Sequence, residues 1–297
     1  MKKAIIYGIL SSLFFAVTFV LNRSMDIAGG SYLWSASLRF IFMLPMLYLI
    51  VRPKGAALVH MAIRQSPRLW ILWSIVGFGL FYLPLTFAST YGPSWFIAGA
   101  WQITIVAGVL LTPLFGRKIP LRNLALSCII LIGVFLLSVD HATEIQIHQI
   151  VICMAAIIVA AFAYPLGNRK MMELCQASID APQRVYGMTL CSMPLWVFLG
   201  LIAIWQSGLP DVGQVLQTFL VAVFSGIVAT ILFFKATDLV RENAKQLAVI
   251  EATQAGEVVF ALLGGILWLG DSVPATMGVF GLVLIIAGMV VNSLYSR

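Results

Sequence analysis

Residues Lys245 to Pro274 read KQLAVIEATQAGEVVFALLGGILWLGDSVP, and this stretch decides the fold class. From Leu247 to Gly270 it is apolar over enough length to cross a bilayer as a helix, because ~20 residues rising ~1.5 Å each cover the ~30 Å hydrocarbon core. Yet Glu251 and Glu257 lie inside it. A charged side chain near the centre of such a helix costs ~2.5–3.5 kcal/mol on insertion scales. Two on one helix therefore need partners, water or protons. At ~100° per residue Glu251, Gln254 and Glu257 share one stripe, which Ala261, Gly265 and Trp268 continue. That face is expected to meet a neighbouring helix or a cavity rather than lipid.

Composition agrees with a membrane setting. The 297 residues are 61% hydrophobic and 10% charged, against ~25% charged in soluble domains. The net charge of +7 does not mark a nucleic-acid binder, because the charges sit between apolar spans instead of forming one basic face. Cys128, Cys153, Cys175 and Cys191 form no CxxC pair and have no histidines at metal spacing. They read as small apolar residues, so no cofactor or metal is expected. His60, His141 and His148 read as loop or boundary residues. The N-terminal apolar run to Leu21 is long for a signal peptide and is followed by Asn22-Arg23-Ser24 rather than a small-residue cleavage site; it reads as the first span.

Ten apolar segments follow along the chain, over about 4–22, 32–51, 69–90, 94–115, 121–139, 149–167, 186–205, 214–234, 247–269 and 274–294. The expectation is an all-α integral membrane protein of ten transmembrane helices. With the N-terminus in the cytoplasm, sixteen of the eighteen Lys and Arg residues fall on the cytoplasmic side, Arg169 and Arg184 among them. Arg23 falls in an outer loop and Arg39 within the second span. The outer loops carry Asp26, Asp140, Glu144, Asp211 and Asp271. This positive-inside bias places both termini in the cytoplasm.

The halves resemble one another in order. Asn22-Arg23-Ser24-Met25 ends the first span and Asn168-Arg169-Lys170-Met171 the sixth. Phe115-Gly116-Arg117-Lys118-Ile119-Pro120 ends the fourth, and Leu269-Gly270-Asp271-Ser272-Val273-Pro274 the ninth. The fifth has Leu131-Ile132-Gly133-Val134 where the tenth has Ile286-Ala287-Gly288-Met289. Five spans per half is odd, so the copies (1–145 and 146–297) are inverted in one integrated membrane domain. Inverted repeats build secondary transporters that rock about a site near the midplane.

On these residues the chain resembles the EamA-type repeat of the drug/metabolite transporter superfamily, through Ala236, the helix closed by Leu269-Gly270-Asp271, and Gly278 to Gly288. Glu251-Ala252-Thr253-Gln254 and Gly256-Glu257 are more similar to its multidrug-resistance-efflux-type branch. The resemblance implies export of metabolites or drugs across a bacterial-type inner membrane. Family repeats commonly end this helix in Gly-Glu, where this chain has Gly116-Arg117 and Gly270-Asp271. The family's mid-helix Glu-Pro pair aligns its glutamate with Glu257 counting back from Asp271, or near Glu251 counting forward from Ala236.

The candidate substrate- and proton-binding residues are Glu257, Glu251, Gln254, Arg39, Trp101, Gln102 and Tyr82. Glu257, near mid-span, reads either as a proton- or cation-accepting carboxylate or as half of a structural ion pair. Glu251 lies nearer the cytoplasmic end, within reach of water. Arg39 is suited to gripping a substrate carboxylate with its two-pronged guanidinium, or, with no ligand involved, to neutralising Glu257 or capping helix carbonyls. Trp101 and Gln102 occupy the inverted counterpart of the ninth-span cluster and suit a flat or cationic solute; Tyr82 stands beside Pro84. Pro45, Pro84, Pro165 and Pro194 read as kinks that hinge gates or as plain helix irregularity. The cavity is expected between the second, third, fourth, seventh, eighth and ninth spans, with the fifth and tenth outside.

The functional expectation is a proton-coupled exporter of a small organic solute, working as a monomer in the lipid bilayer. The alternatives are a proton-independent exchanger of amino-acid-like metabolites or a non-transporting sensor or scaffold. The sequence has no HExxH motif and no nucleophile paired with a base, so an enzyme is not expected.

Overall fold

The computed structural model describes residues 1–92, 94–139, 147–176, 178–270 and 275–294. Pro93, Asp140, His141, Glu144, the 145/146 boundary between the halves, Asp271 to Pro274 and Arg297 lie outside the described residues.

Ten helical stretches form one bundle, with no strand among the described residues. They are α1 (Lys2–Ile27), α2 (Tyr32–Gln65), α3 (Pro67–Tyr91), α4 (Ser94–Leu110), α5 (Leu121–Val139), α6 (Ile147–Cys175), α7 (Ala181–Ser207), α8 (Val212–Asp238), α9 (Ala244–Leu269) and α10 (Thr276–Leu294). Seven are long and apolar enough to cross a membrane, and α4, α5 and α10 supply the shorter apolar stretches Ser94–Leu110, Leu121–Leu136 and Thr276–Gly288. In α9 most of the apolar length is buried inside the bundle, as its two carboxylates demand.

The halves correspond element by element. A π-helical segment interrupts α3 at Ile75–Gly79 and α8 at Ala222–Ala229. Helix α4 breaks at Gln102, and α9 tightens into a 3-10 turn at Thr253–Ala255. After a last short turn each of these two helices stops on a left-handed glycine, Gly116 at φ +68° and Gly270 at φ +71°, a conformation that a Cβ would strain. Exchanging each helix of the first half with its partner in the second turns α1·α8 into α6·α3, α1·α9 into α6·α4, and α2·α8 into α7·α3; all six contacts are present. The pairs α2·α7 and α5·α10 map onto themselves. Even a minor bond repeats: Asn22 donates to the Tyr82 hydroxyl at 3.5 Å, and Asn168 to the Thr237 hydroxyl at 3.4 Å.

Several helix ends differ from the sequence reading. The second span continues past residue 51 to Gln65 across a kink at Arg52 (φ 61°, ψ 165°), where the following Pro53 disfavours helical angles for residue 52. The sixth reaches Cys175 and so carries Arg169 inside it. The seventh starts at Ala181, fixed by a capping box in which Asp180 accepts from the Gln183 backbone and Gln183 from that of Asp180. Pro45, Pro84, Pro165 and Pro194 all stay within helices.

Helices α5 and α10 pack on each other at the flank. Gly133 lies so close that a Cβ there would come 2.8 Å from the Gly281 carbonyl oxygen. At the α3–α6 crossing Gly167 lies directly on the Gly77 backbone, which has no rotamer to yield. Gly167→Ala is expected to cost about 1–3 kcal/mol by overpacking. Gly264→Ala, whose neighbour is the movable Val20 side chain, is expected to cost less. Thermal unfolding of the detergent-solubilised variants checks the order.

Candidate functional site

The bundle closes around a small central cavity lined by residues of α1, α2, α3, α4, α6, α8 and α9. Its volume is only about 10 Å³, room for about one water molecule. The polar groups on its wall are Glu257 and Gln254 from α9, Arg39 from α2, Trp101 from α4, Tyr164 from α6, and Thr18 with Ser225 from α1 and α8. Phe15, Phe19, Phe81 and Leu85 supply the apolar remainder.

Glu257 is 1% exposed, and neither carboxylate oxygen accepts a hydrogen bond of normal geometry, although the Trp101 side chain approaches it. Arg39 is 2% exposed, with Nε and Nη1 unpartnered. Its guanidinium lies over the Tyr82 ring, 3.9 Å from the centroid, in cation–π contact. Gly226 in the π segment of α8 leaves room for the neighbouring Met43, whose Sδ would lie 2.5 Å from a Cβ there. The Tyr164 hydroxyl is a third buried group without a partner, placed within electrostatic reach of both Glu257 and Arg39. Arg39 and Glu257 thus face one cavity with no ion pair between them, so Arg39 does not neutralise Glu257 here.

Glu251 has the opposite environment. It is buried, not within reach of water. Arg169 grips it through Nε to Oε1 at 3.0 Å, and through Nη2 to Oε1 at 2.8 Å and to Oε2 at 2.7 Å. Gly108 of α4 leaves space for the carboxylate. Arg169 also lines a vestibule of about 300 Å³ on the face of the bundle that carries the N-terminus, with Phe115, Arg117, Glu173, Arg241 and Glu242. The Arg169–Glu251 pair therefore stands between vestibule and cavity. Arg117 donates to both the Glu242 backbone and side chain across the vestibule mouth.

The structure thus brings Glu257, Gln254, Arg39 and Trp101 together on the cavity, with Tyr82 behind Arg39. Gln102 is separated from them: it sits at the break in α4 and donates to the Ala98 carbonyl at 2.9 Å. Trp268 leaves the expected stripe and is 81% exposed, because the π turn at Gly265–Leu269 inserts an extra residue and rotates the face. The lining also differs from expectation, since α1 and α6 take part and α7 instead pairs with α2. Helices α1 and α6 offer aromatic rings there, with the Thr18 and Tyr164 hydroxyls. Arg169 was legible only indirectly, as the cation that a buried Glu251 requires. Arg184, assigned to a loop by its charge, is likewise buried, and donates to Asp238 at 2.7 Å.

Removing one half of a buried ion pair leaves the other uncompensated, at about 3–5 kcal/mol. Arg169→Ala is therefore expected to destabilise the protein strongly, whereas the double change Arg169→Met with Glu251→Leu is expected to recover most of the loss. Thermal unfolding of single and double variants checks this.

Comparison with known proteins agrees with this architecture. The protein YjlA of Bacillus subtilis (strain 168) is 52% identical over 309 residues, spanning 99% of this chain and 95% of the relative. A 42.1 kDa protein of the intracellular alkaline protease 3' region of Shouchella clausii is 49% identical over 266 residues, spanning 86% of this chain and 70% of the relative. A protein of known crystal structure superposes with a TM-score of 0.73 over 100% of this chain and 98% of its own at 16% identity, which shows a shared fold. The family model described as "EmrE: Putative multidrug resistance efflux transporter" matches residues 2–297, and the chain belongs to that family of multi-pass membrane transporters.

Proposed function

We propose that the protein exports a small organic solute from the cytoplasm in exchange for protons, by alternating access, with Glu257 as the coupling group. The observation that carries this is a buried carboxylate on the central cavity with no cation paired to it among the described residues. A charge left so costs several kcal/mol, and taking a proton removes it. When the site opens and the solute or water stabilises the carboxylate, the proton leaves. Proton and solute then compete for one group, which is what coupling requires; tight binding alone shifts nothing. Glu251 is the weaker candidate, because Arg169 already satisfies its charge.

The protein acts on this reading as a monomer in the cytoplasmic membrane, without catalysis, and with both termini in the cytoplasm. The orientation rests on the basic residues of the N-terminus and of the loops on its face, with Arg169 and Arg184 set aside because they are buried in the bundle. The vestibule then opens to the cytoplasm, and the Arg169–Glu251 pair closes that side.

The test uses proteoliposomes containing a pH-sensitive dye and a panel of leucine, phenylalanine, phenethylamine, 3-phenylpropanoate and tetraphenylphosphonium. A transported member of the panel is expected to move protons in the wild type. Glu257→Gln keeps shape but cannot titrate, so it is expected to retain solute counterflow while proton movement falls at least about tenfold, a change of ~1.4 kcal/mol or more. Wild-type proton movement in Glu257→Gln would show that another group couples.

A further inference from the structure

Glu257 and Arg39 raise a question that proton exchange alone leaves open. Two opposite charges face one cavity, each buried and each lacking an ionic partner among the described residues, and they do not close on each other. A proton relieves Glu257 but leaves Arg39, whose guanidinium stays charged throughout the pH range of the cell. The Tyr82 face stabilises that cation only in part, and no other carboxylate stands on the cavity wall. Both acidic residues of α9 are accounted for, since Glu251 is held by Arg169. Arg39 thus lacks an anion that the described protein does not supply.

Resting on the proton-exchange reading above, we infer that the solute is a small zwitterion. The cavity as it stands holds about one water, so the solute enters when the halves move apart; its acid group then sits on Arg39, its cationic group on Glu257, and its apolar body against the aromatic wall formed by Phe15, Phe81, Trp101 and Tyr164. Such a solute satisfies both charges at once, so the loaded cavity is electrically neutral. It also explains why solute and proton exclude each other, because the cationic group and the proton need the same carboxylate. A lipophilic cation meets Glu257 but leaves the guanidinium of Arg39 uncompensated. A simple carboxylate meets Arg39 but does not displace the proton. Arg39 is the specificity-determining residue of this arrangement, through the planar match between guanidinium and carboxylate.

The probes are matched so that single groups are removed. Phenylalanine carries both charges, phenethylamine lacks the acid, 3-phenylpropanoate lacks the amine, and tetraphenylphosphonium is a bulky cation. Counterflow in proteoliposomes of the purified full chain is expected for phenylalanine or leucine, and at least tenfold slower for the two single-group analogues and the phosphonium ion. In Arg39→Lys, which keeps the charge but loses the fork, zwitterion counterflow is expected to fall at least tenfold. In Arg39→Gln the preference is expected to turn towards phenethylamine. Gel filtration and thermal unfolding establish that each variant is folded. If Arg39→Gln does not fold, Arg39→Lys and the wild-type panel still decide.

Absence of counterflow for every zwitterion overturns the inference, whatever the cations do. So does tetraphenylphosphonium or phenethylamine exchange that is unchanged in both Arg39 variants. Failure of the underlying reading looks different: zwitterion counterflow dependent on Arg39 but unaccompanied by proton movement would leave the substrate class standing and remove proton coupling.

Discussion

In a medium that cannot solvate charge, an ionised side chain must be paired, hydrated or neutralised, and the central cavity of this protein departs from that requirement twice. Glu257 and Arg39 are both buried, and neither has an ionic partner. The surrounding structure holds the two apart: Arg39 is laid on the Tyr82 ring in α2 and α3, while Glu257 points from α9 towards Trp101 of α4. Keeping opposite charges separate costs stability, and such a cost is usual where a site must meet something from outside.

Contrast with Arg169 and Glu251 sharpens the point. That pair has three short hydrogen bonds and a glycine opposite the carboxylate, so its charges are already satisfied. Its place between the vestibule and the cavity suits a closed gate, which has to be held shut by contacts that conformational change can break. The two halves differ at this point. Nineteen residues before the left-handed Gly270 stands Glu251, and nineteen before Gly116 stands Ile97. Arg23, the counterpart of Arg169, pairs instead with Asp26 in its own helix at 2.7 Å. The repeat conserves helix packing, helix breaks and terminating glycines, but not the ion pair. An inverted scaffold therefore presents chemically different closures on its two faces.

The irregular turns fall where a rocking bundle would need them. The π segments of α3 and α8 and the breaks in α4 and α9 all occur in helices that line the cavity. A π or 3-10 turn replaces regular hydrogen bonds with weaker ones and frees local backbone geometry. Pro45, Pro84, Pro165 and Pro194, by contrast, stay within helical segments, as membrane helices allow when neighbours compensate.

The sequence by itself determined the number and order of the helices, because a span of apolar residues has a fixed minimum length and charged side chains punctuate it. It also determined the repeat, through local signatures such as Asn22-Arg23 with Asn168-Arg169 and the glycines that end α4 and α9. It singled out Glu257 and Arg39, since a lone charge in an apolar run is visible without coordinates. What it did not reveal was which charges are paired, since Arg169 and Glu251 lie 82 residues apart and their meeting depends on how α6 crosses α9. Nor did it show that Arg169 and Arg184 are buried rather than in loops, because basic residues near a helix end look alike whether they turn outwards to water or inwards to a carboxylate. Trp268 was misplaced for a related reason. Projecting residues at ~100° each assumes a uniform helix, and π and 3-10 turns, which arise from packing, rotate the faces beyond them. Tertiary structure alone decided these points, because pairing and register depend on contacts between distant segments, while periodicity records only neighbours along the chain.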